Sequence, residues 1–132
     1  MTQQLQSLHV LAHLALHQPY TYRVDETVIR GARPTPAKLA ALAAAGCATT
    51  INLCREMPNG DADLLEHAGL AADQVSTVHI PITDCTPPGP DDITTFLEAV
   101  AGAERRGSVY VHCEAGVGRT GVMVACYRLQ QG

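Results

Sequence analysis

One stretch of this chain constrains its fold and chemistry more than any other. Residues 112–121 read His-Cys-Glu-Ala-Gly-Val-Gly-Arg-Thr-Gly. Residues 108–111 have the pattern of a short buried strand, and residues 122–129 are apolar on nearly every side, which predicts a buried helix. The stretch is therefore predicted to form a tight loop between a strand and a helix N-terminus. Gly116 and Gly118 allow the backbone angles that such a turn needs.

This loop is suited to bind a phosphate-like anion. It can aim successive backbone N–H groups into one concavity, where the helix dipole adds positive potential. Cys113 lies at its base, where amide dipoles and Arg119 favour a thiolate, which is a good nucleophile toward phosphorus. The planar guanidinium of Arg119 can hold two phosphate oxygens, and the Thr120 hydroxyl can donate to the sulfur. A lone cysteine is usually a small buried hydrophobe, but this order of residues favours a reactive centre.

Residues 112–119 resemble the His-Cys-(five residues)-Arg signature of the cysteine-dependent protein tyrosine phosphatases. Four further segments resemble the small atypical dual-specificity branch: residues 30–34 (Arg-Gly-Ala-Arg-Pro), 51–54 (Ile-Asn-Leu-Cys), 80–84 (Ile-Pro-Ile-Thr-Asp) and 118–127. The second and fourth of these also resemble phosphatase-and-tensin-type lipid phosphatases. The resemblance extends from about residue 22 to the end of the chain. It implies a protein-tyrosine-phosphatase-like fold and hydrolysis of phosphate monoesters through a cysteinyl-phosphate.

The resemblance also supports a role for each residue around the loop. Cys113 is expected to attack phosphorus, Arg119 to hold phosphate oxygens and Thr120 to stabilise the departing thiolate. His112 is expected to order the loop and support the thiolate without transferring a proton. Backbone amides are expected to bind the remaining oxygens, from Glu114, Ala115, Gly116, Val117, Gly118 and Arg119. We expect no metal and no cofactor, because the amides and the arginine supply the positive field.

A leaving phenol or alcohol needs a proton as its bond to phosphorus breaks. Asp84 lies early in the proline-rich loop of residues 81–90, just beyond a predicted strand. Asp91 and Asp92 compete for this role, but they follow Pro90 at a predicted helix start, where acidic residues complement the dipole. Asp84 is therefore the favoured general acid, with Asp92 as the alternative.

Strands and helices alternate along the chain. Strands are predicted at residues 27–30, 49–53, 77–80 and 108–111, and helices at 37–45 and after Pro90. Asp61 is predicted to cap a short helix that ends near residue 68. The pattern predicts an α/β fold with a central, mostly parallel sheet of about four to five strands flanked by helices. Ligands of such sheets bind beyond the carboxyl ends of the strands, where the Cys113 loop is expected.

Length and composition narrow the remaining possibilities. A chain of 132 residues is expected to form one domain over residues 1–132. A net charge of −4 argues against nucleic-acid partners and anionic membranes. Five cysteines without paired spacing, no secretory signal and no membrane-spanning run favour a reducing, cytoplasmic setting. The sequence carries no indication of an oligomeric state.

An amphipathic helix is predicted at about residues 2–17. His9, His13 and His17 fall on one stripe of it, which could share a metal ion but is better interpreted as a solvated polar edge. The chain stops at Gly132, whereas the resembled phosphatases usually continue with further helices. Either the chain is a truncated form, or this N-terminal helix covers the surface that those helices bury.

The expected partner is a phosphorylated protein or a small phosphate ester. A protein tyrosine or dual-specificity phosphatase is favoured. The alternatives are a phosphatase of a small phosphorylated metabolite, an inositide or an RNA 5′ end, and a non-catalytic phosphopeptide-binding module, which the intact catalytic set argues against. Phosphatase-and-tensin-type enzymes carry lysines where this chain has Glu114 and Val117, so inositides are expected to be poor substrates.

Cys54 is the candidate for redox control of the nucleophile. It ends the strand predicted to neighbour the Cys113 strand, and the matching cysteine of phosphatase-and-tensin-type enzymes resolves the oxidised nucleophile as a disulfide. A plain core cysteine is the competing interpretation. Cys85 on the loop after Asp84 is the second candidate, and Cys126 on the predicted buried helix is disfavoured.

Overall fold

The structure is a computed structural model, which describes residues 21–132. The expected helix at about 2–17 and its three histidines lie outside the described residues. The described elements are β1 Thr21–Arg23, β2 Val28–Gly31, α1 Pro36–Ala44, β3 Cys47–Cys54, α2 Ala62–His67, β4 Ser76–Ile82, α3 Pro90–Ala103, β5 Ser108–His112 and α4 Gly118–Gln131. None of the helices in this part of the chain is long and apolar enough to cross a membrane.

The strands form one sheet in the order β1-β2-β5-β3-β4. β2, β5, β3 and β4 are parallel to their neighbours, and β1 pairs antiparallel with β2 at the edge. The predicted α/β fold with a mostly parallel sheet is confirmed. β1 was not predicted, because three residues of which two are exposed carry too little apolar pattern to indicate a strand.

Helices cover both faces of the sheet. α3 and α4 pack on one face, where Phe96 and Met123 are fully buried against Val109 and Val111 of β5. α1 packs on the other face, where Tyr110 points, because successive side chains of a strand point to opposite faces. α2 packs against α1 in a smaller cluster. The burial of both faces explains why the inner strands read as apolar runs rather than alternating ones.

The prediction that α4 is buried on nearly every side is wrong for its outer face. Met123 and Tyr127 are buried against the sheet, but Val122 is 43% exposed and Leu129 is 83% exposed. Only one face of α4 meets the described part of the chain. A helix that is apolar on all sides is expected to be buried on all sides, but its sequence does not show which segments pack against each face.

The carboxyl ends of the parallel strands meet at one edge of the sheet. β5 lies between β2 and β3, and its last residue, His112, is level with Gly31 of β2 and Asn52 of β3. The loops that follow β2, β3, β4 and β5 therefore converge around the first residues after His112. This is the edge at which the sequence analysis placed the reactive loop.

Candidate active site

The signature loop, residues 113–119, joins β5 to α4 and depends on one glycine. Gly116 has a φ of +78°, a conformation that residues with a side chain rarely adopt. A Cβ on Gly116 would lie 2.4 Å from the carbonyl carbon of Gly31, which is backbone and cannot turn aside. The prediction about glycines is thus correct for Gly116 but wrong for Gly118, which begins α4 without a positive φ and has open space around it.

The segment after β2 holds the signature loop from outside. The Arg30 guanidinium donates to the carbonyl oxygen of Gly116 at 2.8 Å, and the backbone N–H of Arg33 donates to the carbonyl oxygen of Glu114 at 3.0 Å. The side chains of Arg33 and Glu114 also form a half-exposed ion pair at 3.7 Å. These contacts bind carbonyl groups on the back of the loop, which leaves its N–H groups facing the other way.

The N–H groups of the signature loop are available to a ligand. Within the described residues, the backbone N–H groups of residues 114–119 donate to no backbone carbonyl. Those of Gly118 and Arg119 belong to the first turn of α4, where helix N–H groups have no partner inside the helix and the dipole is positive. A tetrahedral anion in this concavity would satisfy several of these groups at once.

Cys113 lies at the base of this concavity and is only 3% exposed. Burial raises the pKa of its thiol, but hydrogen bonds from the Thr120 hydroxyl and from the Thr120 and Gly116 N–H groups lower it. The charge of Arg119 lowers it further, so that the pKa of Cys113 lies below its ordinary value. The Thr120 hydroxyl is buried and has no other hydrogen-bond partner within the described residues, so its proton is available to the sulfur.

Arg119 is held by a carboxylate along one edge of its guanidinium. Its two terminal nitrogens donate to the two oxygens of Glu56 at 2.7 and 2.8 Å, and Nη1 also donates to the carbonyl oxygen of Ile82 at 2.9 Å. The hydrogen bonds to Arg119 lower the pKa of Glu56 to about 2, so Glu56 is an anion at neutral pH. Nε of Arg119 is buried and has no partner in the described region. The Nε edge therefore remains for two phosphate oxygens.

Asp84 lies beside the same guanidinium. Its Oδ1 is 3.7 Å from Nη2 of Arg119 and accepts the N–H of Cys85 at 2.9 Å. Its side chain is 70% exposed, which leaves the carboxyl group able to reach a leaving oxygen. Asp92, the alternative acid, instead accepts the N–H of Gly89 at 2.9 Å at the start of α3. The geometry thus brings Asp84, and not Asp92, to the signature loop.

A cleft runs between the loop that carries Asp84 and the first turns of α4. Its volume is about 360 Å³. Its lining residues are Asp84, Cys85, Thr86, Pro87, Gly118, Arg119 and Val122. Because Arg119 and Asp84 share its wall, a phosphate ester bound in the signature loop could direct its leaving group into this cleft.

His112 is fully buried and contacts Asp61, whose side chain was predicted to cap a helix instead. Its Nε2 is 2.9 Å from both carboxylate oxygens of Asp61, which is also fully buried. Asp61 does stand at the N-cap position of α2, but its side chain makes no capping hydrogen bond, so the predicted capping role is wrong. The carboxylate faces His112 because residues 55–61 turn back over the carboxyl end of β5.

Comparison with known proteins identifies the family. A protein-family model described as "DSP-PTPase phosphatase fused to NAD+ Kinase" matches residues 10–132. The chain belongs to this family. This confirms the resemblance to small atypical dual-specificity phosphatases, which the sequence shows in residues 30–34, 51–54, 80–84 and 118–127.

Individual relatives and solved structures agree with the DSP-PTPase assignment. A segment of 39 residues is 44% identical to the tyrosine-protein phosphatase non-receptor type 13 of Mus musculus and covers 30% of this chain but 2% of that protein. A mutant form of Tk-PTP superposes with a TM-score of 0.67 at 28% identity, over 85% of this chain and 73% of that one. A Cys-to-Ser form of P. aeruginosa TpbA in complex with pTyr superposes with a TM-score of 0.67 at 27% identity. The match covers 83% of this chain and 62% of the TpbA chain.

The DSP-PTPase signature loop also lies next to Cys54, the redox candidate. Cys54 is fully buried at the end of β3, the strand beside β5. Its sulfur and carboxylate oxygens of Glu56 and Glu114 lie within 4.8 Å of one another. Both Glu56 oxygens are bonded to Arg119, however, and burial together with the nearby carboxylates raises the pKa of Cys54 to about 12. We therefore assign no metal to this group.

The other two cysteines near the site differ in exposure. Cys85 is exposed on the loop after β4 and has a φ of +64°. Cys126 is half-buried on α4, rather than enclosed by a buried helix as expected. Neither belongs to the strand pair that carries Cys54 and Cys113.

The role of Glu56 and the environment of Asp61 were not predicted from the sequence. Both residues lie in residues 55–61, a polar loop that carries no motif of its own. The order of the strands could have indicated both contacts. The loop of residues 55–61 follows β3, and β3 was expected beside β5. Its acidic residues therefore had to lie near His112 and Arg119. Which acid meets which base depends on the path of the loop, and no sequence pattern specifies that path.

Proposed function

We propose that this chain hydrolyses phosphate monoesters through a cysteinyl-phosphate intermediate and that phosphotyrosine in proteins is its preferred substrate. One observation carries the proposal. Cys113, a thiol of lowered pKa, lies beneath loop N–H groups that donate to no backbone carbonyl and next to an arginine whose buried Nε has no partner, all within the described residues. A nucleophile, an anion cradle and a free guanidinium edge in one place are what phosphoryl transfer to sulfur requires.

The reaction has two steps in this proposal. The phosphate oxygens bind the loop N–H groups and Arg119, the Cys113 thiolate attacks phosphorus, and the bond from phosphorus to the ester oxygen breaks. Asp84 gives its proton to the departing oxygen, which leaves as an alcohol or phenol. Water then attacks phosphorus while Asp84 takes its proton, and the phosphorus–sulfur bond breaks. Inorganic phosphate forms, and Thr120 donates to the regenerated thiolate.

The rim of the site supports an aromatic leaving group. Val117 is 63% exposed and Val122 is 43% exposed, so apolar surface flanks the concavity and its cleft. Three acidic side chains also surround it, Glu56, Asp84 and Glu114, and they would repel a ligand with several phosphates. A relative of the same fold, TpbA, has been crystallised with pTyr. An apolar, acidic rim favours phosphotyrosine over polyphosphorylated inositides.

A substrate panel tests this proposal. Phosphotyrosine peptides are expected to be turned over fastest, phosphothreonine peptides more slowly, and an inositide trisphosphate or an RNA 5′-phosphate least. Arg119→Lys is expected to lose nearly all activity on every substrate, because a point charge cannot replace the bidentate fork. Faster turnover of the inositide or the RNA end than of any phosphopeptide would overturn the substrate assignment.

Loss of all turnover in Cys113→Ser, with phosphopeptide binding retained, would support the covalent step. Serine has no accessible anion at neutral pH, whereas the loop N–H groups and Arg119 remain in place. Appreciable activity of the serine variant would rule out the cysteinyl-phosphate. Binding of phosphopeptides by the parent without any turnover would instead make it a binding module.

We also propose that the chain works in the cytoplasm. Cys47, Cys54, Cys85, Cys113 and Cys126 are all free thiols in the described structure. Free thiols and a thiolate nucleophile persist best in a reducing compartment. Fractionation of cells that express the chain is the direct test, and recovery outside the cytoplasm would contradict it.

A further inference from the structure

A buried carboxylate stands behind the nucleophile. Asp61 has no exposed surface, and its carboxylate meets His112, the Thr50 hydroxyl and the Asn52 amide, which donates to Oδ1 at 2.9 Å. A carboxylate taken out of water costs several kcal/mol of free energy unless a positive partner compensates it. Burial opposes ionisation, but the hydrogen bond and the charge of His112 hold the pKa of Asp61 below its ordinary value. Asp61 is therefore an anion, and its partner must supply the charge.

The geometry around His112 identifies that charge. Nε2 faces the Asp61 carboxylate, and Nδ1 is 3.3 Å from the carbonyl oxygen of Cys113. A carboxylate and a carbonyl oxygen both accept hydrogen bonds and donate none, so both ring nitrogens of His112 act as donors. A ring that donates from both nitrogens is an imidazolium. Its Nε2 side is bound to Asp61, and its Nδ1 side points toward Cys113.

We propose that Asp61 is a positioning residue of the active site, which keeps His112 charged and oriented beneath Cys113 and so maintains the thiolate. A positive charge close to a thiol favours its ionised form. Asp61 does not touch the substrate; it acts through His112. This inference rests on the proposed role of Cys113 as the nucleophile and adds a residue that the phosphatase signature does not contain.

The Asp61 carboxylate is itself held in place. While the Asn52 amide nitrogen donates to Asp61, its carbonyl oxygen accepts the backbone N–H of Cys54 at 2.7 Å. The network thus connects β3, the start of α2 and the end of β5. It fixes the carboxylate relative to the strand that ends at the nucleophile, which a water-exposed carboxylate could not do.

Other ionisable groups also lie near Cys113. Arg119 lies beside it on α4 and Cys54 on β3. Tyr110 of β5 points to the other face of the sheet but is close enough to interact with its charge, and Glu56 and Glu114 lie on the loops beside Cys54. All of these remain when Asp61 alone is changed. A variant that removes only the Asp61 charge therefore isolates its effect on the thiolate.

The test measures the thiolate directly. The rate at which iodoacetamide alkylates Cys113 is followed against pH by mass spectrometry of the Cys113 peptide. In Asp61→Asn we expect the midpoint of this rate to rise by about one pH unit, because a neutral His112 no longer favours the anion. Asp63→Asn, which removes an exposed carboxylate two residues away, is the matched control and should keep the parent's midpoint. An unchanged midpoint in folded Asp61→Asn would overturn the proposal.

Asp61→Asn could fail to fold, because an amide cannot accept all the hydrogen bonds that the buried Asp61 carboxylate receives. In that case His112→Gln is compared with the double variant Asp61→Asn/His112→Gln, which has lost both charges. The proposal requires that the midpoint of the double variant be no higher than that of His112→Gln, because the unpaired Asp61 carboxylate of the single variant can only oppose the thiolate, and that both midpoints lie above that of the parent. A further rise in the double variant would mean that Asp61 acts without His112 and would overturn the proposal.

One measurement needs no variant. Nitrogen-15 NMR of histidine-labelled parent protein distinguishes an imidazolium from a neutral ring, and we expect His112 to carry protons on both nitrogens at neutral pH. A neutral His112 ring would overturn the inference even if the variants do not fold. Neither readout uses a phosphate ester. A parent protein with the expected midpoints but no turnover would therefore reject the proposed function alone.

Discussion

The acidity of Cys113 results from opposing effects on a single sulfur atom. Burial alone would keep the thiol neutral, as it does for Cys47, whose pKa burial raises to about 11. Cys113 also has almost no exposed surface, although fewer protein atoms surround it, and its pKa is lowered because N–H groups, a hydroxyl and a guanidinium act on it. At Cys113 the hydrogen bonds and the charge of Arg119 outweigh burial, whereas at Cys47 burial outweighs the hydrogen bonds.

This lowered pKa predicts how activity depends on pH. The nucleophile is a thiolate above its pKa, so kcat/KM should fall as the pH drops through that value. The acid limb should lie clearly below the range of an ordinary thiol, which is about 8.5. Measurement of kcat/KM on an aryl phosphate against pH checks this, with the alkylation midpoint of Cys113 as the independent control. An acid limb at the ordinary thiol value would contradict it.

Glu56 is predicted to orient Arg119 for phosphate. In Glu56→Gln one charge-assisted contact of the pair is lost, so we expect kcat/KM to fall by about tenfold to hundredfold, equivalent to about 1.5–3 kcal/mol. Glu66→Gln, a change of an exposed carboxylate on α2, is the matched control and should leave kcat/KM unchanged. Steady-state kinetics on one phosphopeptide decides between these results. Parent-like kinetics in Glu56→Gln would show that the guanidinium needs no such partner.

Asp84 is predicted to serve as the proton donor. Asp84→Asn should reduce kcat by about 10²–10⁴-fold on alkyl or weakly acidic aryl esters, the usual contribution of a general acid. An ester of a very acidic phenol needs little protonation, so it should lose much less. Asp92→Asn removes the alternative acid, whose carboxylate closes the start of α3, and should show no such leaving-group dependence. The reverse pattern would move the role to Asp92.

At the level of elements, the loop between β5 and α4 is fixed by its contact with the end of β2. Gly116→Ala should displace the loop, because the added carbon would meet the Gly31 backbone and the φ of +78° disfavours alanine. We expect loss of most activity and a lower melting temperature. Gly118→Ala adds the same methyl group in open space at the start of α4 and should behave like the parent. Equal effects of the two substitutions on kcat and melting temperature would refute this reading of the loop.

The neighbouring ends of β3 and β5 lead to a prediction about oxidation. Peroxide should convert the Cys113 thiolate to a sulfenic acid, and Cys54 on the adjacent strand should trap it as a disulfide. Because the pKa of Cys54 is raised to about 12, its attack should be slow and should accelerate with pH. A Cys54–Cys113 peptide seen by mass spectrometry, with activity restored by thiol, is the expected result.

Cys85→Ser is the control for that experiment, since Cys85 is exposed and lies on the loop near Arg119. It should recover from peroxide as the parent does, whereas Cys54→Ser should recover less. Full recovery of Cys54→Ser after thiol treatment would leave Cys54 as a core residue only.

At the level of the whole molecule, the sequence predicted the alternation of strands and helices and the place of the reactive loop. It could do so because β-branched runs, glycines and the His112-to-Arg119 spacing are local signals. It did not predict the edge strand β1, the exposed outer face of α4 or the partners of Asp61 and Glu56. Those depend on which segments meet in space, which is set by packing and by the path of loops rather than by local pattern.

The two sides of the cleft differ in how firmly they are held: the signature loop makes many backbone contacts, and the loop of residues 83–87 makes few. This difference affects how the specificity of such an enzyme could be changed. The signature loop is bound to the backbone after β2 and to α4, so insertions there would displace the nucleophile. Residues 83–87 are exposed, and the ion pair of this loop with the Arg119 guanidinium is made by Asp84. Randomised libraries confined to residues 85–88 should therefore yield altered leaving-group preferences on an unchanged reaction. Natural variation in this loop should likewise change which leaving groups are accepted, while the residues that carry out the reaction stay the same.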